Sequence, residues 1–464
     1  MRTPEENSKI KEKLFRSEVK MGRKEERMKK KLEKNPVQEC NKIQKQFYPQ
    51  LFQKFAETWD PRHPSYIIYD NKVMLGTMYY KGIAGINSMQ DMTDKFNDEK
   101  VAGNLTTFMN ADQLEYLPHH VTENEYLERL DPQELQDIQQ DIVYQMIRRK
   151  SFRDARFRKS WLIIIDGIQL YSGGRRLNEQ CLERHYKKGT DQETVNYHRD
   201  VLEAKIYFGE KLIISIGSEF IENNSEDAQR QRHMNAEEIK QDCETKAFQR
   251  LVKKLKKKFP RLPITLLADS LYASETVMEI CEAYEWNYII RFKDGSIPSI
   301  AKEYEAITEK EAAGHAGYIN EIDYNGRKIN VLRYWEEQVK EGGIERTDFQ
   351  WLTNIKITQK NAEKIARAGR KRWKIENEGF NRQKNWQGDI THACSWNDVA
   401  QKNHYLMTQI ADVMKQLYEV YYLKKNEIKK KQKNISSDLL ESFEQHLTSE
   451  DIFTERDTHG VSTN

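Results

Sequence analysis

Five cysteines in 464 residues (Cys40, Cys181, Cys243, Cys281 and Cys394) make neither a disulfide framework nor a zinc knuckle, because their number is odd and no Cys-x2-Cys pair occurs. Cys181 and His185 would share a face if that stretch were helical, but two ligands do not make a site. No apolar run approaches 18 residues, which excludes a membrane-spanning helix, and the basic, polar start of the chain lacks the apolar core of a secretion signal. A GxxxxGK[ST] loop is missing too, so no phosphate-cradling nucleotide site is indicated. There is no internal repeat. These absences lead us to expect a reduced, cytoplasmic protein.

Net charge is also scarce, at +3, although 32% of residues are charged. The charges are segregated. Residues 1–46 hold 15 Lys/Arg against 8 Asp/Glu, whereas residues 101–141 hold nine acids and one arginine. Residues 360–384 hold nine basic and three acidic side chains. Segregation of this kind suits a protein with particular faces that meet a polyanion.

Residues 1–46 are Lys/Glu-rich and read as a flexible basic arm. Residues 47–155 turn helical. In LDPQELQDIQQDIVYQMIRRK, Asp131 is placed to cap, Pro132 to open and Glu134 to follow, with Leu135, Ile138, Ile142 and Met146 on one stripe. From residue 156 to 299 the pattern is β-β-β-α-β-α-β: WLIIIDGIQLYS, HRDVLEAKIYF and KLIISIGSEFI are strands, Lys240–Lys258 a helix, then ITLLAD, ASETVMEICEAY and WNYIIRF. That order predicts an α/β protein with a mixed sheet flanked by helices. Residues 300–358 form a β-rich insertion, in which Asn325-Gly326 marks a hairpin. Residues 359–422 return to helix, with one helix over Asn361–Arg382 and another over Trp396–Tyr422. A Lys-rich, disordered tail is expected over 423–464, with six lysines in Lys424–Lys433.

Chemistry concentrates in three acids. WLIIID and ITLLAD each end an apolar run in an aspartate, Asp166 and Asp269, and RWKIENEGFNRQK carries Glu376 on a basic helix. At α-helical spacing Arg372, Glu376, Phe380 and Lys384 fall on one stripe. Carboxylates held rigidly at strand ends are the hard ligands that Mg²⁺ takes, and two such ions about 3.5–4 Å apart activate and stabilise both oxygens of a phosphodiester exchange. Spacing alone proves nothing among 73 acidic residues; the apolar strands and the basic helix supply the context. Arg367, Arg370, Lys371, Arg372 and Lys374 are candidates for phosphate contact beside Glu376, as are Lys384 and Tyr272. Trp373 and Phe380 read as core. Glu219, at the end of the third strand, reads as a structural acid.

In this order the acids, LYAS behind Asp269 and RWKIENEGFNRQK resemble the DDE transposases of bacterial insertion sequences over residues 160–420. The resemblance implies an RNase H-like catalytic domain interrupted by a β-rich insertion, preceded by an N-terminal helical DNA-binding domain and followed by a basic tail. It also implies that Asp166, Asp269 and Glu376 hold two Mg²⁺ or Mn²⁺ ions. Related transposases carry Tyr-x2-Arg-x3-Glu-x6-Lys: Arg372 and Glu376 match, while Gly369 stands at the tyrosine position and Gln383 at the lysine position, with Lys384 one further on. The implied reaction is hydrolysis at the element's end, then attack of the freed 3′-hydroxyl on target DNA, with no nucleotide cofactor. Expected partners are transposon-end and target DNA and further copies of the chain, as a homodimer or higher oligomer, in a nucleoid-associated setting. Two other functions remain open: a non-catalytic DNA-binding descendant, and an RNase H-like nuclease that cuts without joining.

Overall fold

The computed structural model describes residues 35–223, 242–293, 295–307, 310–340 and 343–445. Most of the expected basic arm, and residues 446–464 of the expected tail, lie outside them.

The first helices are built by capping. Asn35 accepts from the backbone N–H of Val37 and Gln38, and Pro36 opens α1 (Pro36–Phe47). Val37, Cys40 and Phe47 are buried, so residues 35–46 belong to the core rather than to a flexible arm. Then come α2 (Leu51–Glu57), α3 (Asn71–Ala84), α4 (Met89–Phe96), α5 (Glu99–Met109), α6 (His120–Leu127) and α7 (Pro132–Arg148). Asp131 caps α7 through the N–H of Gln133, at 2.9 Å.

The sheet follows with β1 (Trp161–Gly173), β2 (Leu182–Tyr186), β3 (Thr194–Gly209) and β4 (Leu212–Ile221). Because Leu182–Tyr186 is a strand, Cys181 and His185 share no helical face. α8 (Glu244–Lys258), β5 (Ile264–Ala268), α9 (Glu275–Ala283), β6 (Asn287–Arg291) and α10 (Pro298–Ala306) complete the expected alternation. The β-rich insertion is β7 (Glu311–Ala313), β8 (Ala316–Tyr324), β9 (Arg327–Lys340) and β10 (Gly343–Thr353). Asn325 and Gly326 form its turn with φ 52 and 78, the left-handed pair that joins twisted strands in two residues.

Among the described residues, ten strands form one sheet in the order β2-β3-β1-β5-β6-β10-β9-β8-β7, with β4 also on β3. β1, β5 and β6 run parallel, while β3 and β4 are antiparallel additions. This mixed arrangement is that of an RNase H-like domain. The insertion is no separate body, since β10 pairs antiparallel with β6 and prolongs the same sheet. The first five residues of β1 and all of β5 are buried, as parallel strands covered on both faces require.

After β10 come α11 (Ala362–Arg370), a π-helical turn (Ile375–Phe380), α12 (Asn381–Trp386), α13 (Asp398–Tyr418), a second π turn (Glu419–Lys424) and α14 (Gln432–Glu441). The single helix expected over Asn361–Arg382 is therefore interrupted. α13 packs against α3, α7 and β4, and most of its residues are buried. α14 corrects the expectation of a disordered tail: Ile435, Leu439 and Phe443 are buried, and Asn35 donates to the Ser442 carbonyl at 2.9 Å. The start and end of the described chain thus lock together.

Candidate active site

β1 and β5 are in register at Ile164 and Leu267. Two residues further along stand Asp166, still within β1, and Asp269, one residue past the end of β5, on neighbouring strands of a kind that lie about 4.8 Å apart. Both aspartates lie where the buried runs emerge. Asp269 is pinned by accepting from the Leu271 N–H (2.8 Å), which caps the short turn Ser270–Tyr272. Asp166 accepts from the Gly167 N–H at 3.1 Å and from Arg372 Nη1 at 3.0 Å.

Glu376, on the π turn, is near enough to act electrostatically on Asp166. Burial pushes the Asp166 carboxyl up to about 6; Arg372 pulls it down, and Asp269 and then Glu376 push it up again. Asp166 therefore feels both of the other acids. A π turn advances the chain by five residues per hydrogen bond, so Arg372 and Glu376 do not sit on the simple i, i+4 stripe expected. Such turns recur at functional sites, where they re-aim side chains. Here the π turn leaves Glu376 exposed, while Ile375 and Phe380 are buried.

A fourth acid, missed in the sequence, lies alongside. Glu244, the first residue of α8, rests against Gly167 and is pushed up to about 7 by burial and by Asp166 and Asp269. Tyr272 is buried beside Glu244, Asp166 and Asp269. Its spacing from the other acids gives no signal that could have found Glu244. Glu219 is elsewhere engaged, by Arg250 and Lys254 at 2.6 Å each, in keeping with a structural acid.

The basic run is not a bare cationic face. Arg367 pairs with Glu363 (2.7 Å), and Arg370 with Glu336 (3.3 Å) while lying over the Phe349 ring. Lys371 is half-buried over Tyr207, and Lys374 binds Glu210 and Glu378 at 2.6 and 2.7 Å. Lys384 is half-buried. Trp373, expected in the core, is 46% exposed beneath the Arg372 guanidinium. Another residue missed earlier is Arg291, at the end of β6. It lies over Phe349 and Trp351, one buried nitrogen has no partner, and its acidity is raised by burial and by the nearby charges of Arg370 and Arg372.

The departures from the signature have structural causes. A Cβ at Gly369 would lie 2.5 Å from Trp351 Nε1, so an indole fills the space around the tyrosine position. Gln383 is fully buried, donating to Gln409 and Asp412 at 2.9 and 2.8 Å, and cannot stand in for a surface lysine. Its neighbour Arg382 is clamped by Asp412 (3.0 Å) and Glu419 (2.9 Å), which fixes α12 on α13.

Among the described residues, no three His, Cys, Asp or Glu side chains form a ready-made cation cage. The acids do suit divalent ions chemically: they are hard oxygen donors near like charge, and among the described residues Arg372 is the cation paired with Asp166. Among the described residues, no helix is long and apolar enough to cross a membrane.

Residues 240–409 match the family model described as the transposase DDE domain. The matched span contains Asp269, Glu376 and Glu244, and Asp166 precedes it. No curated protein matches the chain.

Proposed function

We propose that this chain, which carries a transposase DDE domain over residues 240–409, is a DNA transposase that cleaves the ends of its own element and joins the freed 3′-hydroxyl to target DNA. The observation that supports this most is that Asp166 and Asp269 follow the buried runs of two paired parallel strands, with Glu376 near enough to act on Asp166 electrostatically. In this reading the three carboxylates hold two Mg²⁺ or Mn²⁺ ions. Such ions, when bound, activate the attacking oxygen and stabilise the leaving one.

The rest falls to the protein. The strand ends hold Asp166 and Asp269 rigidly, as two-metal chemistry requires. Arg372, Arg370 and Arg291 border the acids with planar cations suited to backbone phosphate. The pair of Arg370 with Glu336 is partly exposed, and exposed pairs are worth about 0–1 kcal/mol, so a phosphate can displace it. Lys371, Lys374, Arg367 and Lys384 extend the same surface, while Tyr272 supports the acids from below. The protein acts as an oligomer on paired DNA ends and uses no nucleotide cofactor.

The test is a cleavage and joining assay on DNA flanking the reading frame, with Mg²⁺ or Mn²⁺. Wild type yields nicked and strand-transfer products; Asp166→Asn, Asp269→Asn and Glu376→Gln each abolish both. Nicks without joined products assign a nuclease instead. DNA binding with no cleavage at all assigns a non-catalytic descendant.

A further inference from the structure

We infer, on the footing of the proposed function, that Lys205 is a positioning residue for the reaction: buried beneath the π turn, it fixes where Glu376 stands. Lys205 lies in β3, opposite Ile164 of β1, and is fully buried. Alternation along a strand puts Glu203, Lys205 and Tyr207 on one face. That face underlies residues 371–380. Lys371 sits over the Tyr207 ring at 3.9 Å, and the Lys205 ammonium is 5.9 Å from the centre of the Phe380 ring. A Cβ at Gly379 would stand 3.3 Å from both Cδ and Cε of Lys205, so the glycine of the turn rests on the lysine stem. Beyond the stem, the ammonium donates to Gln409 Oε1 at 2.8 Å. Gln409 in turn exchanges hydrogen bonds with Gln383 of α12, at 2.9 and 3.2 Å. One side chain thus meets the segment carrying Glu376 from below and, through α13, holds the helix into which that segment runs.

Stability does not call for a lysine here. An enclosed ammonium is unfavourable unless an acid answers it, and an apolar side chain of similar volume usually does better. Lys205 has a neutral amide as its hydrogen-bond acceptor. The acids close enough to act on it are engaged elsewhere: Glu203 accepts from Ser215, Ser218 and Tyr405, and Asp412 from Arg382, Gln383 and Gln416. Burial accordingly holds the Lys205 pKa below the usual lysine range, with Glu203 and Asp412 opposing. What the ammonium supplies is a directed link from β3 to α13 under the turn, which an apolar side chain lacks. Glu376 needs such a link. It is exposed, and among the described residues its carboxylate has no hydrogen bond of its own, so its place depends on the backbone that carries it.

The test uses the full chain on DNA flanking the reading frame, with Mn²⁺. Lys205→Met keeps an unbranched stem under Gly379 and removes the charge, while Gln409 Oε1 still accepts from Gln383. The variant should cleave bound DNA about tenfold more slowly and need about tenfold more Mn²⁺ for half its maximal rate, the scale on which outer partners of metal-holding acids act. Its affinity for the DNA should equal that of wild type, and its urea midpoint should not fall. A merely structural lysine would move stability and leave the rate on saturating DNA alone. Lys415→Met is the control, because that lysine is buried too but bonds Ser436; its loss should leave the rate unchanged.

Asp166→Asn tests the underlying function separately. If it abolishes cleavage while Lys205→Met cleaves as wild type does, Lys205 positions nothing and the three-acid site stands. A Lys205→Met chain that melts well below wild type, or a Lys415→Met chain slowed equally, marks a structural layer and overturns the inference as well. So does a loss confined to DNA affinity. A wild type with no Mn²⁺-dependent cleavage brings down both ideas.

Discussion

Arg372 Nη1 lies 3.0 Å from Asp166 Oδ2, so one cation of the basic run is spent on the first acid of the site. Both side chains are mostly enclosed, which makes this pair matter more than a surface one. Arg372→Ala should therefore cost about 1–3 kcal/mol at pH 8 in a metal-free urea melt, the usual penalty for stranding a buried acceptor. The sign with pH follows from the Asp166 carboxyl, already raised to about 6. A raised folded pKa leaves stability intact below the unfolded value near 4 and erodes it as pH climbs through 6. Removing Arg372 raises that carboxyl further, so the variant should be closer to wild type at pH 4.5 than at pH 8. An equal loss at both would show that the pair contributes packing and not charge.

Gly369 and Trp351 make a second prediction. Within α11 an alanine ordinarily gains up to about 1 kcal/mol over glycine. At this position its Cβ would meet the Trp351 indole at 2.5 Å, and that ring is buried against Phe349. Overpacking of this kind costs about 1–3 kcal/mol, so Gly369→Ala should destabilise. The loss should shrink in a Trp351→Leu background, which vacates the space. A Gly369→Ala protein more stable than wild type would contradict the packing drawn here.

These two sites show how far the amino-acid pattern alone reaches. WLIIID and ITLLAD announce buried strands because their apolar runs are continuous, and an aspartate ending each run is easily seen. The Asn325-Gly326 turn was equally legible, since its left-handed dihedrals demand those residues. Glu244 was not, because its position depends on how α8 meets β1, a contact between residues nearly 80 apart in the chain. The π turn at Glu376 was hidden as well. Its residues have ordinary helix propensity, and what interrupts the helix is tertiary: Arg382 and Gln383 are gripped by Asp412, Glu419 and Gln409. Burial of α1 and α14 is not legible because each alone is too polar to predict a core helix; α1 is covered by α13 and α14, and α14 by α3, α12 and α1.

Phe349 lies between two like charges, with Arg291 at 5.0 Å and Arg370 at 4.0 Å from its ring centre. Holding two guanidinium groups there, with Arg372 close enough to perturb the first, anticipates an anion. Arg291→Gln should weaken binding to duplex DNA and lower the slope of log affinity against log salt by about one, the loss of one phosphate contact. Lys328→Gln is the control, because Lys328 is exposed on the insertion's hairpin and paired with Asp323 at 3.1 Å. An equal effect of both would assign the binding to general charge rather than to a phosphate position beside the acids.

The last prediction concerns the polar layer under α12 and α13. Lys415 is buried, donates to Ser436 at 2.6 Å, and has its pKa lowered to about 7 by burial and then by Arg382. For a base with a depressed folded pKa, full stability is present above the unfolded value near 10.4 and is lost as pH falls through 7. Lys415→Met removes that burden. Ser436 still donates to the Trp386 carbonyl (2.7 Å), and Asp412 and Glu419 keep Arg382, so no partner is stranded. The variant should be more stable than wild type by about 2 kcal/mol at pH 7, with the gain vanishing toward pH 10.5. Urea midpoints at the two pH values decide it. A variant less stable at pH 7 would show that Lys415 binds its neighbours more strongly than burial opposes it.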